Sequence, residues 1–334
     1  MCAVNKETTP ISRIWTRYKD AKAQSSILLL DKLELILAVI ALTLFFFLMS
    51  DRFIAPYNIL NIARQMVSIC LLGIGVTFVL VGSGVDLSIG ANMSLTSIVM
   101  ARVMIASNSI ILGLFAAILV GVTFGIVNGY IVAYRNVQPF AVSLGTMSVG
   151  NGIAYVLSSG NTIRGLPESF AVLGNGDTFG IPNQIFLLVA VCILTYFLLQ
   201  KTTFGARCYA IGGNQSTAKL SGIPVRKIRM LTFILCGSMA SLASIVASSR
   251  VISGNPTLGA DMPPQAIAAA IIGGASMSGG RGNIGGTIIG CIFISVLYSG
   301  LNFINVSPYV QDVLIGAVII GSAWIDANKR RKLG

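Results

Sequence analysis

The stretch LELILAVIALTLFFFLM at residues 33–49 carries a single charged side chain, Glu34, in an otherwise almost wholly apolar run. The hydrocarbon core of a bilayer is about 30 Å thick, and a helix of about twenty apolar residues is long enough to cross it. The chain of 334 residues is 54% hydrophobic and only 10% charged. Its length alone would fit about two soluble domains, but this composition excludes a water-soluble core and surface. The sequence therefore predicts an all-α polytopic membrane protein.

Apolar segments recur along the chain and predict about ten transmembrane helices, some of them short or broken. The predicted spans are 34–50, 63–83, 90–106, 110–134, 139–158, 184–200, 229–249, 264–275, 283–304 and 308–326. They divide the chain into a basic N-terminal segment at 1–33, a transmembrane domain at 34–328 and a basic tail at 329–334. The first run lacks a small-residue cleavage site, so we expect it to be retained as a span.

Lysine and arginine are distributed unevenly between the two sides of this domain. With an even number of spans both termini share one side. That side holds 18 of the 23 Lys and Arg residues: six before the first span, six in 201–229, four in 329–332, Arg135 and Arg281. Basic residues favour the cytoplasmic side, so both termini and the loop 201–229 are predicted to be cytoplasmic. Topology thus accounts for the net charge of +12, and nucleic-acid binding, the competing interpretation, is not favoured.

Several kinds of chemistry are excluded by missing residue types. The chain has no histidine, and its six cysteines form no C-x-x-C pair, so His-based catalysis, His proton relays and the common metal sites are not expected. The P-loop pattern G-x-x-x-x-G-K-[ST] is also absent, so this chain is not expected to hold ATP phosphates itself. We expect no cofactor and no catalytic residue in it.

The loop 201–229 contains a short helix with signals at both ends. Asn214 is a good N-cap for QSTAKLS at 215–221, and Gly222 stands where a left-handed residue ends a helix, followed by Pro224. Such a helix is too short to be stable alone. It is therefore either a docking element for another protein or an ordinary polar connection.

Four segments resemble the sugar-type permease subunits of bacterial ABC importers, the family of ribose and galactoside permeases. They are GSGVDLSIG at 82–90, NVQPFAVSLGTM at 136–147, AIGGNQSTAKLSGIPVRKIR at 210–229 and AIAAAIIGGASMSGGRGNIGGTIIG at 266–290. The resemblance covers roughly residues 35–328. Together the four motifs are specific to the family, although none is specific to one sugar.

The resemblance implies an assembly in the bacterial inner membrane. Two permease copies, identical or related, would form the membrane core. Cytoplasmic ATP-binding subunits that carry ATP and Mg²⁺ would dock below, and a periplasmic solute-binding protein would deliver a sugar from above. The loop 201–229 would then be the coupling loop. Its expected contact residues are Gly212, Gly213, Asn214, Ala218, Leu220, Ser221 and Gly222. We expect Ala218 to lie on the face that meets the ATPase.

Polar residues in or beside the spans are candidates for the translocation pathway. Asp86 is an acid flanked closely by two apolar spans, and such residues are often functional. It either caps the third span or contacts the solute directly. The other candidates are Ser88, Asn92, Asn128, Thr146, Asn151 and Asn302. For each of the amide and hydroxyl groups among these, the alternative is helix–helix adhesion.

One departure from the family pattern limits the substrate assignment. Before A-I-A-A the family usually has E-L-D, whereas this chain has Pro263, Pro264 and Gln265, which we expect at the outer mouth of the eighth span. The competing hypothesis for function is an ion-coupled secondary transporter of a small polar solute. It would need buried acids or histidines as proton relays, and the chain offers Asp86 and no histidine.

Overall fold

A computed structural model describes residues 33–331 and shows a bundle of α-helices. Residues 1–32 of the predicted N-terminal segment and 332–334 of the predicted tail lie outside the described residues. The helices are α1 Leu33–Met49, α2 Pro56–Val81, α3 Ile89–Ser107, α4 Ile110–Tyr134, α5 Pro139–Ser158, α6 Ala171–Gly174, α7 Asn183–Lys201, α8 Thr203–Gly213, α9 Gln215–Leu220, α10 Val225–Val251, α11 Met262–Ile272, α12 Ile284–Phe303 and α13 Pro308–Arg331. Two short strands, β1 Asp177–Thr178 and β2 Ile181–Pro182, pair antiparallel between α6 and α7.

Each of the ten predicted spans coincides with one apolar helix, which confirms the all-α polytopic class. Seven of these helices (α2, α3, α4, α5, α7, α10 and α12) are long and apolar enough to cross a membrane. The apolar stretches Leu33–Met49, Met262–Ile272 and Pro308–Gly321 are shorter. Ten is therefore an approximate number of crossings.

The central helix of the bundle is α2, which packs against α7, α10, α11 and α12. Its most apolar window is 83% buried within the chain, whereas the corresponding windows of α4 and α5 are only 22% buried. Apolar helices with so much exposed surface must face lipid or another protein. The bundle therefore has a protein-packed centre and a lipid- or partner-facing side.

Helices α4 and α10 approach closely because glycines line their interface. A Cβ atom on Gly121 would overlap the Gly237 carbonyl oxygen, and one on Gly125 would overlap the backbone of Ile234. In lipid the hydrophobic effect does not drive helices together, so their association depends on close packing. Small residues four positions apart allow two helix backbones to approach closely. This contact fixes α4 against α10, the helix that follows α9.

The eighth predicted span, 264–275, falls on the short helix α11, and the residues that precede this helix are not helical. After Ile252, which has φ of +47°, residues 253–261 run without helix along α3, from the level of Ala101 to that of Gly90. Those two residues are eleven positions apart on α3, so the non-helical stretch extends about 16 Å along the axis of this helix. The short helix α11 follows this stretch.

The structure places Pro263 and Gln265 inside the bundle, beside the first turn of α3. A Cβ atom on Gly90 would lie 2.8 Å from Pro263 Cγ, and Gln265 is buried, whereas Pro264 is exposed. That these three residues form the outer mouth of the span stays a prediction.

Candidate functional site

The cytoplasmic loop predicted at 201–229 contains two helices, of which the first, α8, was missed. The Thr202 side chain caps α8 by accepting a hydrogen bond from the Gly205 amide at 3.4 Å. Cys208 and Ile211 are buried, and Phe204 is partly buried. These three apolar residues fall at i, i+4 and i+7, the spacing of one helix face. That spacing was the available signal.

The second helix, α9, has the predicted caps. Asn214 Oδ1 accepts a hydrogen bond from the Thr217 amide at 2.9 Å. Gly222 has φ of +78°, and the Ile223 amide donates to the Ala218 carbonyl at 3.1 Å, the pattern of a left-handed helix C-terminus. The capped helix is therefore confirmed as structure.

The side of α9 that faces outward is not the one that was expected. Ala218 is only 4% exposed and packs into the hydrophobic core, whereas Leu220 is 90% exposed. The expectation that Ala218 lies on the outward face was wrong, because a helix this short is held by burying one side of itself. The outward apolar contact that α9 offers is Leu220.

Three distant segments meet at a contact that we call the glycine junction, made by Val81, Ser83, Gly212, Ser278 and Gly280. The Gly280 amide donates to the Val81 carbonyl at 3.0 Å, and Ser83 Oγ donates to the Ser278 carbonyl at 3.0 Å. A Cβ atom on Gly212 would overlap both Val81 O and Gly280 N. The end of α8 thus packs backbone to backbone on the end of α2 and on the turn between α11 and α12.

A tyrosine strengthens the same contact. Tyr209 on α8 donates its hydroxyl to the Gly282 carbonyl oxygen at 2.6 Å. Burial raises the pKa of Tyr209 to about 12, so the hydroxyl keeps its proton and stays a donor at physiological pH.

Immediately after the junction, the chain forms a buried polar group that we call the Asp86 cluster, made by Asp86, Ser88 and Asn128. Asp86 Oδ1 accepts from the Ser88 amide at 2.9 Å, from Ser88 Oγ at 2.6 Å and from Asn128 Nδ2 at 3.5 Å. Asn128 Nδ2 also donates to Ser88 Oγ at 2.7 Å. All three residues are at most 2% exposed. The carboxylate therefore holds the turn that starts α3 and ties it to α4.

Asn92 lies one turn further along α3 and bridges to α10. Its Nδ2 donates to the Gly237 carbonyl at 3.1 Å, and its Oδ1 accepts from Thr96 Oγ1 at 3.1 Å. The amide nitrogen thus bonds to α10, and the amide oxygen is occupied within α3. This geometry is that of helix–helix adhesion.

The remaining pathway candidates are dispersed. Thr146 bonds to carbonyl oxygens of its own helix, α5. Asn151, also on α5, is partly buried. Asn302 is exposed at the end of α12 and accepts from Gln311 Nε2 at 2.8 Å. The structure brings together Asp86, Ser88 and Asn128 and does not gather the other candidates around them.

Sequence reasoning missed the serines that hold the non-helical segment. Ser97 Oγ accepts from the Asn255 amide and Ser94 Oγ from the Gly259 amide, each at 3.0 Å. Ser97 also bonds to Ser248 Oγ at 2.8 Å. Backbone amides within a membrane need such partners. The i, i+3 spacing of Ser94 and Ser97 inside an apolar helix was the available signal.

Substitution at Asp86 should separate the acceptor role of this side chain from its charge. Asp86→Asn keeps an oxygen that can accept from Ser88, so we expect a melting temperature close to that of the native protein in mild detergent. Asp86→Leu leaves the Ser88 amide and hydroxyl without an acceptor, at a cost of about 1–3 kcal/mol for each buried group, so we expect a large loss of folded protein.

The control for this prediction is Ser88→Ala. This variant removes the hydroxyl donor of residue 88 and keeps the hydrogen bond from its backbone amide to Asp86. Its melting temperature should fall between those of the two Asp86 variants. If Asp86→Asn is as unstable as Asp86→Leu, the negative charge itself stabilises the turn, and the acceptor explanation is wrong.

These features define a polytopic α-helical membrane protein: a helix bundle with one discontinuous crossing, a buried polar turn, and a short capped helix between two predicted spans. Residues 58–323 match the family described as branched-chain amino acid transport system / permease component. The chain belongs to this family.

The chain is also similar in sequence to several curated sugar permeases, over most of the length of both chains. The chain is 36% identical to the ribose import permease of Bacillus subtilis strain 168, over 90% of this chain and 94% of the relative. It is 34% identical to the D-allose permease of Escherichia coli K12, over 87% and 89%. It is 31% identical to the L-arabinose permease of the same organism, over 78% and 80%. No solved structure matches the chain.

Proposed function

We propose that this chain is the translocating subunit of an ATP-driven importer and that its cargo is a monosaccharide-like solute. The observation that carries the proposal is the identity of 31–36% to permeases of ribose, D-allose and L-arabinose over most of both chains. These sugars share a ring or chain rich in hydroxyl groups, and they include two pentoses, ribose and L-arabinose, and one hexose, D-allose. The proposal therefore names the chemical class of the solute and no single sugar.

The partners follow from the family. A second permease copy, identical or related, completes the membrane core, and a periplasmic binding protein supplies the solute. A separate cytoplasmic subunit binds ATP and Mg²⁺ and performs the hydrolysis, so this chain is proposed to be non-catalytic. The charge distribution, with 18 of 23 basic residues on one side of the predicted spans, supports a cytoplasmic position for both termini and for α8 and α9.

Coupling runs from α9 into the bundle through contacts described above. The exposed Leu220 face of α9 meets the ATPase, and Asn214 joins α9 to α8. The end of α8 presses on the glycine junction, and Ser83 of that junction lies three residues before Asp86. Because the Asp86 cluster holds the first turn of α3, displacement of α9 would shift α3 and the non-helical segment 253–261 beside it.

The proposal is tested by uptake in proteoliposomes. The permease is reconstituted with its ATP-binding subunit and binding protein, and the uptake of labelled ribose, D-allose and L-arabinose is measured. We expect uptake of at least one sugar that requires ATP and persists when ionophores collapse the ion gradients. Uptake without the ATP-binding subunit that stops when a proton or sodium gradient is collapsed would instead establish the ion-coupled transporter.

A further inference from the structure

A cavity of about 420 Å³ opens beside α9, where the end of α4 faces the start of α10. Tyr134 and Asn136 form one wall, Gln215 and Lys219 of α9 form the second, and the segment from Ile223 to Arg229 forms the third. The cavity thus lies between the end of α4 and the consecutive segments α9 and the start of α10. It is distinct from the glycine junction and from the Asp86 cluster.

The cavity is strongly basic. Lys219, Arg226, Lys227 and Arg229 line it, and the whole segment 201–229 contains no Asp or Glu. The ion pair that the structure shows within residues 33–331 joins Arg64 and Asp177 elsewhere in the bundle, so no carboxylate described there neutralises these four cations. Arg229 is only partly exposed. Lys219, Arg226 and Lys227 are exposed. A partly buried cation without a carboxylate partner, such as Arg229, favours an anionic ligand.

Aromatic residues place the cavity at the level of lipid headgroups. Tyr130 and Tyr134 stack with ring centroids 5.5 Å apart and are 43% and 39% exposed on the outside of α4. The Arg135 guanidinium lies 5.6 Å from the centre of the Tyr130 ring. Exposed tyrosines at the end of a spanning helix mark the membrane–water interface. Tyr134 belongs both to this belt and to the cavity wall.

The cavity uses a different face of α9 from the outward Leu220 face. Successive helix residues are rotated by about 100°, so Leu220 lies nearly opposite the buried Ala218. Gln215 and Lys219, four residues apart, share an intermediate face that is turned toward α4. A ligand in the cavity and a protein on Leu220 can therefore bind at the same time.

We propose that this cavity binds the phosphodiester headgroup of an anionic phospholipid. Lys219, Arg226 and Arg229 surround the phosphate, and the acyl chains leave past Tyr134 along the outside of α4. A bound lipid connects α4, α9 and α10 and so restrains the coupling helix against the bundle. The assignment of this site to the cytoplasmic leaflet rests on the proposed orientation, but headgroup binding itself depends neither on orientation nor on the transported solute.

The test compares lipid retention by native mass spectrometry of the full-length protein in mild detergent. Phosphatidylglycerol or phosphatidylcholine is added to the native protein and to Lys219→Gln/Arg226→Gln. Both replaced residues are exposed, so folding should be unaffected. Each basic residue near a membrane surface contributes several-fold to the binding of anionic lipid. We expect the double variant to bind phosphatidylglycerol at least about tenfold more weakly, and phosphatidylcholine to bind weakly to both proteins.

The matched control is Lys201→Gln/Arg207→Gln, which removes two exposed charges of the same segment outside the cavity. This control should retain phosphatidylglycerol as the native protein does. Equal loss in both double variants would mean that net charge alone attracts the lipid, and no loss in either would mean that the cavity is not the site. Displacement of the lipid by millimolar inorganic phosphate would assign the cavity to a soluble anion. Each of these three results overturns the proposal.

Discussion

Gly212→Ala is expected to abolish sugar uptake and to lower the amount of folded permease sharply. A Cβ atom at this position would overlap the carbonyl oxygen of Val81 and the amide nitrogen of Gly280, and neither backbone can rotate away as a side chain would. Overpacking in a well-packed core costs about 1–3 kcal/mol, and a clash with backbone on both sides belongs at the upper end. The melting temperature of the purified protein and ATP-dependent uptake in proteoliposomes measure the two effects.

The adjacent glycine provides the control. A Cβ atom on Gly213 would meet nothing within 4 Å, and its φ is not positive. Gly213→Ala should therefore leave stability and uptake unchanged or slightly raise stability, since alanine is the better helix former. If Gly212→Ala transports as well as Gly213→Ala, the glycine junction is not a tight contact and the coupling route through it is wrong.

Leu220→Glu is expected to release the ATP-binding subunit. Leu220 is 90% exposed at the end of a helix whose opposite side is buried, and a large apolar side chain left in water at such a position favours a protein contact. Burying an unpaired carboxylate in that contact is costly, so a loss of at least about 2 kcal/mol, typical of an interface hot spot, is expected. Pull-down of the tagged permease should recover far less ATP-binding subunit, and uptake should fall in parallel.

Two controls make this result specific. Thr203→Glu adds the same charge to an exposed position at the start of α8 and should retain the ATP-binding subunit. A cysteine introduced as Leu220→Cys, in a protein without other cysteines, should be shielded from an impermeant reagent added outside intact cells. Full retention of the ATP-binding subunit by Leu220→Glu would show that energy enters elsewhere, and labelling of the cysteine from outside would reverse the proposed topology.

The spans and the caps of α9 could be predicted because their causes are local. Hydrocarbon thickness selects apolar runs of a given length, and a cap depends on residues within one or two turns, as with Asn214 and Gly222. The amphipathic spacing of Phe204, Cys208 and Ile211 was equally local. It was overlooked because the segment is short, basic and rich in glycine.

Other features could not be read from local pattern. Hydropathy measures how apolar a segment is, so it does not distinguish a complete helix from an extended stretch followed by α11. The orientation of Ala218 depends on where the bundle lies relative to α9, and the association of Asp86 with Asn128 depends on how α3 packs on α4. Such contacts join residues far apart in sequence, and one sequence carries no direct signal of them.

The glycine junction also has a mechanical consequence. Where helices touch through long side chains, rotamer changes can absorb small displacements and the contact is compliant. At Gly212, Val81 and Gly280 the main chains themselves touch, so there is no side chain to yield. A shift of α8 by a fraction of an ångström must therefore either move the end of α2 and the turn after α11 with it or break the contact. The glycine junction is therefore a rigid contact, which can transmit a small displacement of α8 directly to its neighbours.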